Sequence, residues 1–93
     1  MRDYELTLIL KPTLTEESLA GATEKVQGWI TGQGGEMVNV VPVGRKRLAY
    51  PVKNQRDGSY VVMQLRTRPE SLPEVERNLK LSEDVLRYMF LRR

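Results

Sequence analysis

Two hydrophobic periods take turns along this chain, and their order limits the fold more than any other feature. Residues 2–10 read RDYELTLIL, with Tyr4, Leu6, Leu8 and Leu10 separated by Glu5, Thr7 and Ile9. A repeat of two puts the four apolar side chains on one face of a strand. Lys11-Pro12 ends that strand, because proline brings no N–H to a ladder. The period then changes. Leu19, Ala22, Val26 and Ile30 recur at helical spacing, with Trp29 beside them. Thr15 is placed to cap this helix, Glu16 and Glu17 sit at its positive end, and Gly32, Gly34 and Gly35 stop it.

The period returns to two over residues 36–52, EMVNVVPVGRKRLAYPV. Pro42 and Gly44 interrupt this long stretch, which predicts a bulge or bend and an edge position. Alternation predicts Leu48, Tyr50 and Val52 facing inward, with Arg45, Arg47 and Ala49 on the opposite face. The segment NQRDG, residues 54–58, reads as a turn in which Asp57-Gly58 is the strongest signal. In the following strand Val61, Met63 and Leu65 face the core, and Tyr60, Val62, Gln64 and Arg66 face away. A second helix follows in PESLPEVERNLKL, where Ser71 and Glu74 have capping-box spacing, Pro73 lies in the first turn, and Leu72, Val75 and Leu79 form the apolar stripe. The last strand, in EDVLRYMFLRR, has two faces: Tyr88 with Phe90, and Arg87 with Met89 and Leu91. Alternation alone does not choose which is buried.

Strand, helix, strand, strand, helix, strand is the order of the ferredoxin-like βαββαβ fold, an α+β class. Its four-stranded antiparallel sheet carries two helices on one face. The other face is left bare, and here it bears Thr7, Ile9, Tyr60, Val62, Gln64 and Arg66. An apolar and basic mixture of this kind suits a contact surface. Tyr4 and Tyr50 read as core aromatics. Ninety-three residues suit one domain, residues 1–93, with one core.

The composition narrows the chemistry. With neither cysteine nor histidine, the chain has no disulfide framework, no thiolate zinc site and no imidazole base. No metal, cofactor or catalytic residue is expected. An acylphosphatase-like enzyme on this fold would need an anion-cradling loop, and Lys11-Pro12-Thr13 is not one. No apolar run nears the roughly 20 residues of a membrane helix, so a cytoplasmic location is expected. Fifteen cations against twelve anions give a net charge of only +3. The excess matters because it is clustered: Arg45, Lys46, Arg47, Lys53 and Arg56 lie in a segment without a single acid.

Three motifs carry a family likeness. GRKRLAYPVK, Gly44–Lys53, has a glycine, basic residues, Leu-Ala-Tyr and a closing Lys53, with Val52 where isoleucine is usual. MRDYE opens the chain, and LRYMFLRR closes it after LSEDV. Over nearly its whole length the sequence resembles the bacterial small-subunit ribosomal protein S6 family. The resemblance implies a structural component of the small ribosomal subunit, located on the ribosome. It also implies binding to small-subunit ribosomal RNA jointly with small-subunit ribosomal protein eighteen (S18), as a heterodimer. On that reading Arg2, Arg45, Lys46, Arg47, Lys53, Arg87 and Arg92 contact RNA phosphates. Ile9, Tyr60, Val62, Gln64 and Arg66 contact the protein partner. The alternatives are a stand-alone ferredoxin-like RNA-binding module and a non-ribosomal regulatory or acylphosphatase-like domain. A base-stacking reader on this architecture needs aromatics on both middle strands, and only Tyr60 is available.

Overall fold

The strict alternation of residues 2–10 places that strand in the middle of a sheet, where one face can be sealed completely. A computed structural model describes residues 1–93 and runs β1 (Arg2–Leu10), α1 (Glu16–Gly32), β2 (Glu36–Val52), β3 (Gln55–Thr67), α2 (Leu72–Leu81) and β4 (Val85–Arg92). The strand order is β2-β3-β1-β4, antiparallel throughout, and both helices cover one face. This is the expected ferredoxin-like α+β fold. Leu6, Leu8 and Leu10 are sealed at 0% exposure beneath Ala22, Val26 and Ile30 of α1 and Val75 and Leu79 of α2. Each such burial stabilises the fold by about 1.5–3 kcal/mol. Val61, Met63 and Leu65 of β3 complete the layer.

The helix ends differ in one respect from expectation. Thr15 caps α1 as predicted, its hydroxyl accepting from the Ser18 N–H at 3.1 Å. Ser71 does not cap α2. Its backbone is already helical (φ −83°, ψ −18°), because a 3₁₀ turn over Pro69–Ser71 starts the helix early, behind an extended Arg68. The Ser71 hydroxyl is free to donate to the Gln33 carbonyl instead, at 3.4 Å.

Strand pairing settles β4. Leu6 pairs with Phe90 and Leu8 with Tyr88, so those aromatics join the core face, with their rings edge to face at 6.2 Å. Thr7 pairs with Met89 and Glu5 with Leu91, so Met89 and Leu91 stand on the bare face, 53% and 48% exposed.

The β2–β3 hairpin departs furthest from simple alternation. Its turn is not Asp57-Gly58 but Lys53-Asn54, with φ of +48° and +66° between the paired Val52 and Gln55. Positive φ at both central residues is the type I′ geometry that suits a two-residue hairpin loop. Gly58 lies instead in β3, buried, because a Cβ there would fall 2.4 Å from Cγ2 of Ile9. On β2, Val38 and Val43 are extra residues in the register, and Gly44 takes φ +109° just after the second bulge. The edge position and the interruption at Pro42 and Gly44 are as expected. Beyond them, four residues, Leu48–Pro51, stand opposite the single residue Arg56. Pro51 cannot donate to the ladder, and the chain bows out there.

Candidate nucleic-acid and partner interface

The bow at Leu48–Pro51 overturns the predicted inward set. Tyr50 is 57% exposed and Leu48 and Val52 are half-buried. Leu48 lies on the bare face, its Cδ2 beside Gly58 and Ile9. Only Tyr4 is the core aromatic expected of the two tyrosines, at 6% exposure. The hairpin runs past Leu10, where β1 ends opposite Ser59, and its tip reaches the start of β4. There Lys53 Nζ donates to the Val85 carbonyl at 3.1 Å, and Arg87 Nη1 donates to the Tyr50 hydroxyl.

The predicted cations therefore fall into separate groups. Lys46 and Arg87 stand on the bare face: Lys46 pairs with Gly58 beside Tyr60, and Arg87 pairs with Ile9. Arg45 and Arg47 pair with Ser59 and Asp57, which places them on the helix side, where Arg45 donates to the Pro12 carbonyl at 2.6 Å. Lys53 occupies the hairpin turn. All five share the hairpin end of the sheet. Arg2 and Arg92 do not. They pair with the core-facing Thr67 and Tyr4, at the other end of β1 and on the helix side. Eight residue steps at about 3.3 Å put roughly 26 Å between the two ends of that strand.

The predicted partner residues share one surface. Ile9, Tyr60, Val62 and Gln64 are half-buried on the bare face, as expected, and Arg66 is exposed beside them. Arg66 is not a free charge: its Nε donates to Asp3 Oδ1 at 2.9 Å. That hydrogen bond, and then the attraction of the carboxylate, raise the Arg66 pKa above its ordinary value. Besides Leu48, sequence reasoning missed three further members of this face. Val41 enters because it pairs with Val62, and Met89 and Leu91 enter through β4. A count of bulges in β2 is needed to place Val41, and no local signal supplies it. The two middle strands show Thr7, Ile9, Val62 and Gln64, with Tyr60 their sole aromatic on this face. That is too little for a base-stacking platform.

The sheet thus leaves one face uncovered, with Val41, Met89 and Leu91 exposed on it, and five of the seven predicted cations lie at its hairpin end. The model of the family described as ribosomal protein S6 matches residues 3–92. The chain is 40% identical to small ribosomal subunit protein bS6 of Moorella thermoacetica over 92 residues, covering 99% of this chain and 94% of that one. It is 44% identical to bS6 of Saccharopolyspora erythraea, covering 100% and 79%. Against bS6 of Campylobacter curvus it is 42% identical over 96% of its own length but spans only 63% of that protein. The crystal structure of 30S ribosomal protein S6 from Thermotoga maritima superposes with a TM-score of 0.93 at 28% identity, over 99% of this chain and 87% of that one. The C-terminal domain of MgtC from Mycobacterium tuberculosis, 12% identical with a TM-score of 0.59, shares the fold alone. Fold by itself does not fix function.

The chain belongs to the ribosomal protein S6 family. It is a protein of the small ribosomal subunit, a structural component of the cytoplasmic ribosome and not an enzyme.

Proposed function

We propose that residues 1–93 act as one unit that binds small-subunit ribosomal RNA as a heterodimer with S18. The observation that carries this reading is the uncovered sheet face, where Val41, Met89 and Leu91 are each 43–53% exposed around Ile9 and Val62. Contiguous apolar strand residues in water are a liability unless a partner covers them. The hairpin end supplies the complementary half: Arg45, Lys46, Arg47, Lys53 and Arg56, with no acid among residues 44–56. Such a stripe attracts phosphate and makes affinity fall with salt. Apolar centre and basic end adjoin, so protein contact passes into RNA contact across Leu48 and Tyr60. Arg2 and Arg92 lie outside this stripe and would meet phosphate only if the RNA also passed the far end of β1.

Two variants test the two halves. Tyr60→Glu with Val62→Glu puts carboxylates into the apolar centre. The double variant is expected to fold and to lose co-purification with S18, because burying unpaired charge at an interface is costly. Arg47→Ala is expected to lower the slope of log affinity against log salt by about 1 in filter binding to small-subunit ribosomal RNA with S18 present. Full co-purification by the folded double variant would move the partner surface off this face. An unchanged slope would remove Arg47 from the phosphate contacts.

A further inference from the structure

The cations of the bare face are held in two chemically different ways. Arg66 is held by a carboxylate, which compensates its charge. Lys46 and Arg87 are held by tyrosines. Lys46 Nζ lies 5.8 Å from the Tyr60 ring centroid, and the Arg87 guanidinium carbon lies 5.5 Å from that of Tyr50. The Tyr50 hydroxyl also accepts from Arg87 Nη1. A tyrosine orients a cation through its ring quadrupole and phenol oxygen and leaves the full positive charge for an incoming anion.

Arg87 also borders an open cleft of about 300 Å³, shared with Lys53 and Lys80, between the hairpin tip, the end of α2 and the start of β4. Neither of the two ion pairs of the molecule involves any of these three cations. Lys53 commits one donor to the Val85 carbonyl and keeps the others. Tyr50 is brought to this place by the bow at Leu48–Pro51, which carries it out of the ladder and across the sheet end to β4.

We propose, building on the RNA-binding reading above, that Tyr50 is a positioning residue that fixes Arg87 at the mouth of the Lys53–Lys80–Arg87 cleft, where the guanidinium grips an RNA phosphodiester. One of the guanidinium N–H groups goes to Tyr50 and the rest remain, in the planar fork that matches two phosphate oxygens. Fixing the side chain beforehand lowers the ordering cost of binding.

The test is filter binding of the full chain, with S18 present, to small-subunit ribosomal RNA across a salt series. Tyr50→Leu and Arg87→Ala are each expected to weaken binding several-fold and to lower the salt slope by about 1. Tyr50→Phe keeps the ring and loses the acceptor, and falls between Tyr50→Leu and wild type. The Tyr50→Leu, Arg87→Ala double variant binds no worse than Arg87→Ala alone, because a positioning residue has nothing left to position. Thermal unfolding of each variant confirms a folded chain. If Tyr50→Leu does not fold, the comparison rests on Tyr50→Phe with and without Arg87→Ala. Wild-type affinity and slope in the Tyr50 variants, or losses that add in the double variant, overturn the proposal. If Arg47→Ala still lowers the slope in that case, the RNA-binding reading stands without it. A wild-type chain that binds no RNA in the presence of S18 overturns both.

Discussion

Gly58→Ala tests the tightest contact in the sheet. The glycine sits in β3 with ordinary strand backbone, so no left-handed strain confuses the result. A Cβ at this position meets Cγ2 of Ile9 at 2.4 Å, while Leu10 O and Leu48 Cδ2 are at an ordinary 3.5 Å. Carbon pairs rest at about 3.5–4.0 Å, so Ile9 must withdraw by more than about 1 Å. Cγ2 is one of two branches on Cβ, so it moves only by turning χ1, which is stiff. Overpacking of this type costs about 1–3 kcal/mol. Against it stands the gain of about 0.5–1 kcal/mol from replacing a strand glycine with alanine. The expected net change is a loss of about 0–2.5 kcal/mol, read by urea denaturation with an unchanged m-value. On an Ile9→Ala background Cγ2 is gone, and the same change should be neutral or stabilising. The coupling between the two sites is then about 1–3 kcal/mol. An alanine that stabilises the wild-type background, or costs the same on both, would refute the close approach.

Other outcomes follow from the same geometry. Leu8→Ala, at a fully sealed position, should cost about 2–5 kcal/mol by chemical denaturation, and Leu48→Ala, half-buried on the bare face, clearly less. Lys53→Val forces a β-branched side chain into the positive-φ hairpin turn and should cost at least about 1 kcal/mol in the same assay. Arg66 gives a pH prediction. Its raised folded pKa means that its contribution is complete below the ordinary arginine value and is lost only as pH rises beyond it. A stability profile from pH 6 to 9 should therefore be unchanged in form when Arg66→Met removes the group.

The sequence alone was sufficient for the element order, the sheet class and most of the core. Tyr4, Leu6, Leu8 and Leu10, then Val61, Met63 and Leu65, then Ala22, Val26 and Ile30 repeat with periods that backbone geometry translates directly into buried faces. The family was legible from three short motifs, MRDYE, GRKRLAYPVK and LRYMFLRR, and not from periodicity. What the sequence could not decide were features set by contacts between distant segments. Asp57-Gly58 has the composition of a turn, yet that glycine lies in the sheet, where Ile9 of another strand leaves no room for a Cβ. Tyr50 alternates with Leu48 and Val52 as a core residue would, yet bulges upstream and the bow at Pro51 change its direction, and it meets Arg87 across the end of β1. The buried face of β4 followed only from its pairing with β1. Local periodicity records which side chains avoid water. It holds no information on how many residues a strand loses to bulges or on what waits across the sheet, and those two facts placed the cations and tyrosines of the candidate site.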